Sequence, residues 1–216
     1  MNAAQLKGKG KIIPKRRGLL LVVSAPSGAG KTTLCREMAH RVSGLQYSIS
    51  YTTRAPRTGE VNGKDYFFVT EPEFMQRVRQ EEFAEWARVH HNLYGTHAGF
   101  LKRTMDSGID LLLDVDVQGA QLLKKRFPEG IFIFVLPPSM EILMERLRDR
   151  RSDAPEEIER RFRVAKKEIR NFVDYDYLII NDKIEKATRD LESIVLAERL
   201  RMTHADQNWI REQFLK

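Results

Sequence analysis

Residues 19–32 read LLLVVSAPSGAGKT, and this stretch decides how the first part of the chain folds. The run up to Val23 is wholly apolar, as expected for a central parallel strand that is buried on both faces. A glycine-rich loop follows, and Lys31 and Thr32 lead into a helical stretch from about Thr33 to Val42. A strand, a glycine-rich loop, Gly-Lys-Thr and a helix in this order indicate a P-loop, in which backbone N–H groups surround a phosphate.

The P-loop predicts a nucleoside triphosphate site in which each part has a task. The glycines let the backbone curl around the phosphates, and the start of the helix adds positive potential. Lys31 is expected to reach the β- and γ-phosphates, and the Thr32 hydroxyl to bind Mg²⁺. Ala25 stands where the consensus has glycine; because this position lies at the strand exit, we expect its methyl group to be tolerated. The loop that would hold the triphosphate consists of Ala25, Pro26, Ser27, Gly28, Ala29 and Gly30.

The rest of the chain alternates between strand-like and helix-like segments. Strands are predicted at 46–51, 65–69, 82–89, 110–117, 131–136 and 177–180, and helices from about 71, 97, 118, 139, 155 and 183 onward. Residues 92–96 are predicted to form a loop. This alternation is typical of an α/β fold in which a parallel sheet is covered by helices on both faces.

Two acidic residues follow a second apolar strand, in the stretch LLLDVDV at residues 111–117. Asp114 and Asp116 are two positions apart, so in a strand they would share a face at its carboxyl end. Ligands of open α/β sheets collect at that edge. An apolar strand that ends in aspartate resembles the Walker B element, which holds Mg²⁺ in P-loop proteins. The alternative is that the two carboxylates merely cap the end of the strand.

Arginine is concentrated in two segments. Arg54 and Arg57 lie around Pro56 in a loop, and the planar arginine fork can bind a phosphate through two hydrogen bonds. The second segment holds seven arginines and no lysine, and several of these are expected to be plain surface residues. They are Arg146, Arg148, Arg150, Arg151, Arg160, Arg161 and Arg163. Together with the P-loop, these segments indicate phosphoryl transfer from ATP to an acceptor that carries a phosphate.

The composition excludes several other classes of protein. The 216 residues are 42% hydrophobic and 31% charged, which is typical of a folded globular chain. The longest apolar run, Ile131–Leu136, is too short for a transmembrane helix. The single cysteine, Cys35, excludes a disulfide framework and favours the cytoplasm. The net charge of +7 comes mostly from residues 1–17, which hold six basic side chains and no acid, so it does not require a nucleic acid partner.

Several segments, read in order, resemble the guanylate kinase family of P-loop nucleoside monophosphate kinases. The resemblance extends from about residue 17 to 200, and its second segment is long enough to be specific. The segments are SAPSGAGKTTL (24–34), SISYTTRAPRTGEVNGKDYFFV (48–69), EFAEWARVHHNLYGT (82–96), LLLDVDVQGA (111–120), PPS (137–139) and YDYLIIND (175–182). The resemblance implies transfer of the γ-phosphoryl group of ATP to GMP, with Mg²⁺ bound to the ATP.

The resemblance also implies which residues hold GMP. Glu85 would accept the adjacent N1–H and N2–H₂ donors of guanine, Thr96 would donate to O6, and Asp116 would be a further acceptor. Adenine presents the opposite polarity and would leave Glu85 unpaired. The phosphate of GMP would be bound by Ser50, Arg54, Arg57, Tyr66 and Tyr94.

On the ATP side, the resemblance adds residues outside the P-loop. Asp114 would bind Mg²⁺ together with Thr32, and Asn181 would lie near the adenine. Charge on the transferred group would be stabilised by Lys31, Arg54, Arg146, Arg150 and Arg161. Arg151 stands where many relatives have glycine, which puts the loop conformation there in doubt.

The implied organisation has three parts. Residues 1–17 form a basic arm that we expect to be mobile, residues 18–200 the kinase domain, and residues 201–216 a helical extension. Within the domain, residues 46–100 form the GMP-binding segment and residues 146–170 a helical lid. His90, His91 and His97 are expected to be solvated or structural, because no further ligand completes a metal site. The sequence leaves open whether the chain forms a homo-oligomer.

Two other functions stay open at this point. A guanylate-kinase-like binding module would share the fold without catalysis, and a related kinase would phosphorylate a different acceptor. Lys31 and Thr32 argue against the first, since such modules lack a working P-loop. Glu85 and Thr96 argue against the second.

Overall fold

The apolar run that precedes the P-loop forms the central strand of a parallel sheet. The structure is a computed structural model, and it describes residues 16–89, 91–148 and 155–215. The strands are β1 Leu20–Ser24, β2 Leu45–Tyr47, β3 Tyr51–Thr52, β4 Phe67–Phe68, β5 Phe83–Val89, β6 Asn92–His97, β7 Asp110–Asp114, β8 Ile131–Leu136 and β9 Tyr177–Ile180. The α-helices are α1 Lys31–Arg41, α2 Glu71–Arg79, α3 Ala98–Asp106, α4 Val117–Arg126, α5 Met140–Arg148, α6 Pro155–Ile169, α7 Ile184–Arg199 and α8 Gln207–Phe214.

The parallel sheet has the strand order β2-β7-β1-β8-β9. Side chains alternate along β1, so that Leu21 packs on one face with Cys35 of α1 and Leu191 of α7. Val22 packs on the other face with residues of α3 and α4 such as Leu123. Because helices cover both faces, every residue of β1 is buried. The predicted α/β class with a P-loop parallel sheet is therefore confirmed.

A second, four-stranded sheet with the order β4-β3-β6-β5 stands beside the first. Its β3 pairs parallel with β4 and antiparallel with β6, and β5 and β6 form an antiparallel hairpin. Phe74 of α2 fills its core by stacking on Phe83, with 4.6 Å between the ring centroids. An ion pair of 2.5 Å between Arg36 of α1 and Asp65 connects this part of the chain to the P-loop helix.

The second sheet corrects two of the predicted elements. Residues 92–96 are not a loop but most of β6, where Asn92 pairs with Val89 and Thr96 with Glu85. Asparagine and glycine in this stretch are poor strand formers, and the strand exists because β5 supplies its hydrogen bonds. The run at 46–51 is likewise not one strand, because β2 belongs to the parallel sheet and β3 to the second sheet.

The segment predicted as a lid, residues 146–170, holds the end of α5 and all of α6, and these two helices pack on each other. Leu143 and Leu147 of α5 meet Ala165 and Phe162 of α6 in a small apolar cluster. After α6 the chain continues through a short 3-10 helix, Arg170–Asp174, into the edge strand β9. None of the helices in the described ranges is long and apolar enough to cross a lipid bilayer.

Candidate active site

The P-loop connects β1 to α1 at the carboxyl edge of the parallel sheet. Gly28 and Gly30 have φ angles of 96° and 86°, which residues with side chains rarely adopt. A Cβ atom at Gly30 would also lie 2.5 Å from the Nδ2 atom of Asn181. Both glycines are therefore required by the backbone. The loop leads directly into the positive end of α1, where a phosphate is favoured.

Lys31 is the first residue of α1, and it contacts the neighbouring strand. Its ammonium group donates a hydrogen bond to Asp114 and another, of 2.8 Å, to the carbonyl oxygen of Val115. Asp114 is brought there because β7 pairs with β1 in the register Val23 to Asp114. Burial alone would lower the pKa of Lys31, but the carboxylate of Asp114 raises it above its ordinary value. The lysine therefore stays charged at the floor of the site.

Asp116 lies in a different position from the one predicted. Strand β7 ends at Asp114, and Asp116 is the N-cap of α4, where its Oδ1 atom accepts a 2.8 Å hydrogen bond from the N–H of Gly119. The two carboxylates are thus not on one face of a continuous strand, because the chain turns into α4 after Val115. Both nevertheless line the same cavity as the P-loop.

A buried carboxylate faces the P-loop from the second sheet. Glu85 is only 7% exposed, and its Oε1 atom accepts a 2.7 Å hydrogen bond from the hydroxyl of Thr96, its partner in the β5–β6 hairpin. A Cβ atom at Gly119 would lie 3.0 Å from Glu85 Oε2 and 3.1 Å from Asp116 Oδ1, so glycine leaves room for both carboxylates. Burial raises the pKa of Glu85 to about 7, and the charge of Asp116 adds to this shift.

The residues predicted to bind the acceptor phosphate are mostly gathered at one side of the cavity. Ser50, Arg57, Tyr66 and Tyr94 line it, and the rings of the two tyrosines meet edge to face at 6.0 Å. Arg54 lies beside the cavity rather than in its wall. Its guanidinium group is bound by Glu60 through two hydrogen bonds of 2.8 and 2.9 Å.

The arginines predicted to stabilise the transferred group differ in their position relative to the cavity. Arg161 of α6 lines the cavity and donates a 2.6 Å hydrogen bond to the hydroxyl of Ser27 in the P-loop. Arg146 of α5 contacts the P-loop region from outside the cavity, where it donates to the carbonyl oxygen of Asn181 at 2.9 Å. The Asn181 side chain in turn donates a 2.8 Å hydrogen bond to the carbonyl oxygen of Ala29. Arg150 lies outside the described residues.

Three acidic residues at the site were not singled out from the sequence. Glu60 holds Arg54, while Glu157 and Glu168 of α6 line the cavity with Arg161 and Val164. Burial and the charge of Asp116 raise the pKa of Glu168. The four α6 positions are spaced by three or four residues, so they share one helical face. That periodicity is a sequence signal that could have identified Glu157 and Glu168.

Most of these groups line one cavity of about 370 Å³ between the two sheets. One wall is the P-loop with its lysine, and the opposite wall carries Glu85 and the tyrosines. A P-loop and a second polar site that open into one cavity are the arrangement expected of P-loop kinases that phosphorylate a small molecule.

Comparison with known proteins makes this assignment more specific. The guanylate kinase family model matches residues 17–198. The chain is 52% identical to a guanylate kinase of Geobacter sulfurreducens over 187 residues, which cover 87% of this chain and 92% of the relative. It is 41% identical to one of Clostridium perfringens, with 94% of both chains covered. The crystal structure of guanylate kinase from Anaplasma phagocytophilum superimposes with a TM-score of 0.80 at 32% identity, covering 94% of this chain and 98% of that one. The chain belongs to the guanylate kinase family.

Proposed function

We propose that this chain transfers the γ-phosphoryl group of ATP to GMP and so produces ADP and GDP. The observation that carries the proposal is the meeting of the P-loop and the buried Glu85–Thr96 pair in one cavity. The first suits a triphosphate donor and the second a guanine base.

The donor side follows from the P-loop geometry. Backbone N–H groups of residues 25–30 and the start of α1 would receive the phosphates of ATP. The ammonium group of Lys31 would partly give up its contact with Asp114 and reach the β- and γ-phosphates, because these phosphates carry more negative charge than one carboxylate. Asn181 supports the P-loop through its hydrogen bond to Ala29, and it would lie next to the adenine of the bound nucleotide.

The acceptor side explains why guanine would be preferred. As a carboxylate, Glu85 can accept the two adjacent donors of guanine. The Thr96 hydroxyl donates its only hydrogen to Glu85 in this structure, so it would have to turn away from Glu85 to donate to O6. Adenine would place an acceptor against this buried carboxylate, and unpaired polar groups in such a site discriminate strongly. Asp116 would contribute a further acceptor. Arg54, Arg57, Ser50, Tyr66 and Tyr94 would hold the phosphate of GMP.

The chemistry needs no covalent intermediate. An oxygen of the GMP phosphate would attack the γ-phosphorus in line with the leaving ADP oxygen, and that oxygen is already ionised, so no general base is required. Lys31, Arg54, Arg146, Arg150 and Arg161 would stabilise the charge that develops on the transferred group. Closure of the lid helices over both nucleotides would exclude water, which otherwise competes as the acceptor.

Mg²⁺ fits the donor set at the P-loop. Thr32 and Asp114 offer a hydroxyl and a carboxylate, and Mg²⁺ prefers such oxygen ligands and takes the rest from phosphates and water. We propose that these two residues hold it, directly or through water. When bound, Mg²⁺ neutralises negative charge on the β- and γ-phosphates.

The organisation and location of the chain are also proposals. The parts we expect are the basic arm 1–17, the domain 18–200 with its GMP-binding segment and lid, and the extension 201–216. Arg16 and Arg17 at the end of the arm form ion pairs with Asp110 and Asp106, so the expected mobility of the arm does not extend to them. Cys35 is buried and has no partner for a disulfide, which agrees with a cytoplasmic protein.

One assay tests the function against both alternatives. ADP release would be measured with GMP, AMP, UMP and dTMP as acceptors, and without an acceptor as the control for ATP hydrolysis. We expect kcat/KM for GMP to exceed that for AMP by about 10⁴-fold, because AMP leaves Glu85 unpaired. A binding module would release no ADP with any acceptor, and a kinase for another nucleotide would prefer that nucleotide.

A further inference from the structure

Glu60 lies at the centre of the loop that carries both phosphate-binding arginines. Its two carboxylate oxygens accept hydrogen bonds from Nη1 and Nη2 of Arg54 at 2.9 and 2.8 Å. One of them also accepts a 2.7 Å hydrogen bond from the backbone N–H of Arg57. The carboxylate thus connects the side chain of one arginine to the main chain of the other. Hydrogen bonds from Arg54 lower the pKa of Glu60, so the group remains ionised at neutral pH.

These contacts use one edge of the Arg54 guanidinium group. Nη1 is fully engaged, because it also donates a 2.7 Å hydrogen bond to the carbonyl oxygen of Ala55. The Nε–H group and the second N–H of Nη2 are not used in the contact with Glu60. The guanidinium carbon lies 5.4 Å from the centre of the Tyr66 ring, and Tyr94 interacts with the same group. Both tyrosines line the cavity, so Arg54 is held next to the wall that faces the acceptor.

We propose that Glu60 is a positioning residue for the phosphate of GMP, which orients Arg54 and the Arg57 backbone so that both arginines converge on that phosphate. The inference rests on the proposed function, because it takes GMP as the ligand. Glu60 itself does not touch the substrate in this arrangement. A long arginine side chain loses rotamer freedom when it binds, and Glu60 removes much of that freedom in advance.

An opposite role for Glu60 is physically distinct and gives the opposite result. A carboxylate on an arginine fork resembles a phosphate, so Glu60 could compete with GMP for Arg54. In that case, removal of the charge would strengthen GMP binding. As a positioning residue, Glu60 supports binding, and its removal weakens GMP binding. The sign of the change therefore separates the two roles.

The test measures binding to Glu60→Gln by titration calorimetry, with GMP and with guanosine as ligands and no ATP present. Guanosine has the same base but lacks the phosphate. We expect the Kd for GMP to rise about tenfold, since a charge-assisted pair is replaced by a neutral contact, while the Kd for guanosine changes by less than about twofold. In steady-state kinetics, KM for GMP should rise about tenfold, and kcat should fall by less than that, because Arg54 stays charged and can still stabilise the transferred group.

Glu71→Gln is the matched control. Glu71 forms a 2.7 Å ion pair with Arg88 in the same part of the chain, and both side chains are about half exposed. We expect its affinity for both ligands to equal that of the wild type. In a chain that already carries Arg54→Ala, Glu60→Gln should no longer weaken GMP binding, because the residue it positions is gone.

Three results would overturn the inference. They are unchanged or stronger GMP binding by Glu60→Gln, equal weakening of GMP and guanosine, and a tenfold loss that persists without Arg54. The second result includes a variant that fails to fold, since it would bind neither ligand. Failure of the proposed function is distinguishable, because then the wild-type chain would release no ADP from ATP in the presence of GMP, whatever its affinity for GMP and guanosine.

Discussion

At the scale of single residues, Lys31 has a proposed catalytic role and a second role in the stability of the site. Lys31→Ala should lower kcat by about 10²- to 10³-fold, because it removes the P-loop ammonium group from the transferred phosphate. The same change leaves Asp114, whose side chain is 4% exposed, without its cation. We therefore also expect a loss of about 1–3 kcal/mol in the free energy of unfolding. Steady-state kinetics and urea denaturation measure the two effects.

A second substitution separates these two effects of Lys31. The double variant Lys31→Ala, Asp114→Asn should regain most of the lost stability, since the buried charge is gone as well. It should not regain turnover. A Lys31→Ala variant that keeps more than about a tenth of the wild-type kcat would contradict the P-loop assignment.

Also at the scale of single residues, Glu85 should make the affinity for guanosine depend on pH. With a pKa of about 7, the free carboxyl group is mostly protonated at pH 6, and a protonated group places its own donor against the donors of guanine. Affinity for guanosine should therefore fall by up to about tenfold per pH unit as the pH drops below 7. Guanosine is the right ligand because it lacks the phosphate of GMP, which titrates near pH 6. Inhibition constants measured between about pH 6 and pH 8 check the prediction.

Glu85→Gln is the control for this pH dependence. Glutamine does not titrate, so the pH dependence should disappear in the variant. At about pH 8, affinity for guanosine should be at least tenfold weaker than in the wild type, because an amide N–H₂ replaces one acceptor oxygen. If Glu85→Gln kept the pH profile of the wild type, the titrating group would have to be another residue of the site.

At the scale of elements, one face of helix α6 serves the cavity and the other faces solvent. Arg161 contacts Ser27 of the P-loop, whereas Arg163, two positions further on, is exposed. Arg161→Ala should lower kcat by about 10²-fold with little change in either KM. The reason is that the guanidinium charge stabilises the transition state, in which negative charge is shared between donor and acceptor, more than it stabilises the bound substrates. Arg163→Ala should behave as the wild type. Kinetics with GMP and ATP each varied test the pair, and equal behaviour of the two variants would contradict it.

The same scale shows where local sequence signals succeed and fail. The strand-loop-helix at the P-loop is predicted because each step is encoded by adjacent residues, including the two glycines with positive φ angles. Strand β6 is missed because its hydrogen bonds come from β5, and its own residues favour a turn. The predicted pairing of Asp114 with Asp116 on one strand face fails for a related reason. The N–H of Gly119 offers Asp116 a helix cap, and the strand ends earlier.

At the scale of the whole molecule, Asp110 holds together distant parts of the chain. Its carboxylate is fully buried and accepts hydrogen bonds from Arg16, from Arg199 at the end of α7 and from the N–H of Leu19. Burial alone would raise the pKa of Asp110, but these donors keep it below its ordinary value. Asp110→Asn should therefore lower the free energy of unfolding by about 3 kcal/mol at pH 7. Urea denaturation measures the change.

The dependence of this loss on pH checks its cause. A carboxyl group whose pKa is lowered by folding stabilises the protein above the unfolded pKa near 4, and that contribution disappears as the pH falls further. The stability difference between wild type and Asp110→Asn should therefore shrink below about pH 4. Asp106→Asn is the control, because Asp106 forms exposed ion pairs with Arg17 and Lys102, and it should leave stability nearly unchanged. A difference that is constant with pH would point to packing instead.

The sequence by itself determined the P-loop, the α/β class, the family and the residue types at the site. These are encoded by neighbouring residues or by long ordered motifs, which need no knowledge of the fold. Only the tertiary structure decided which distant groups meet. Asp110 pairs with Arg16 across 94 positions and with Arg199 across 89, and Glu85 lies opposite Thr96 because a hairpin forms. Such contacts depend on strand order and register. Many different strand orders and registers are compatible with the same alternation of strands and helices, so the contacts that select one of them form only once the chain is folded.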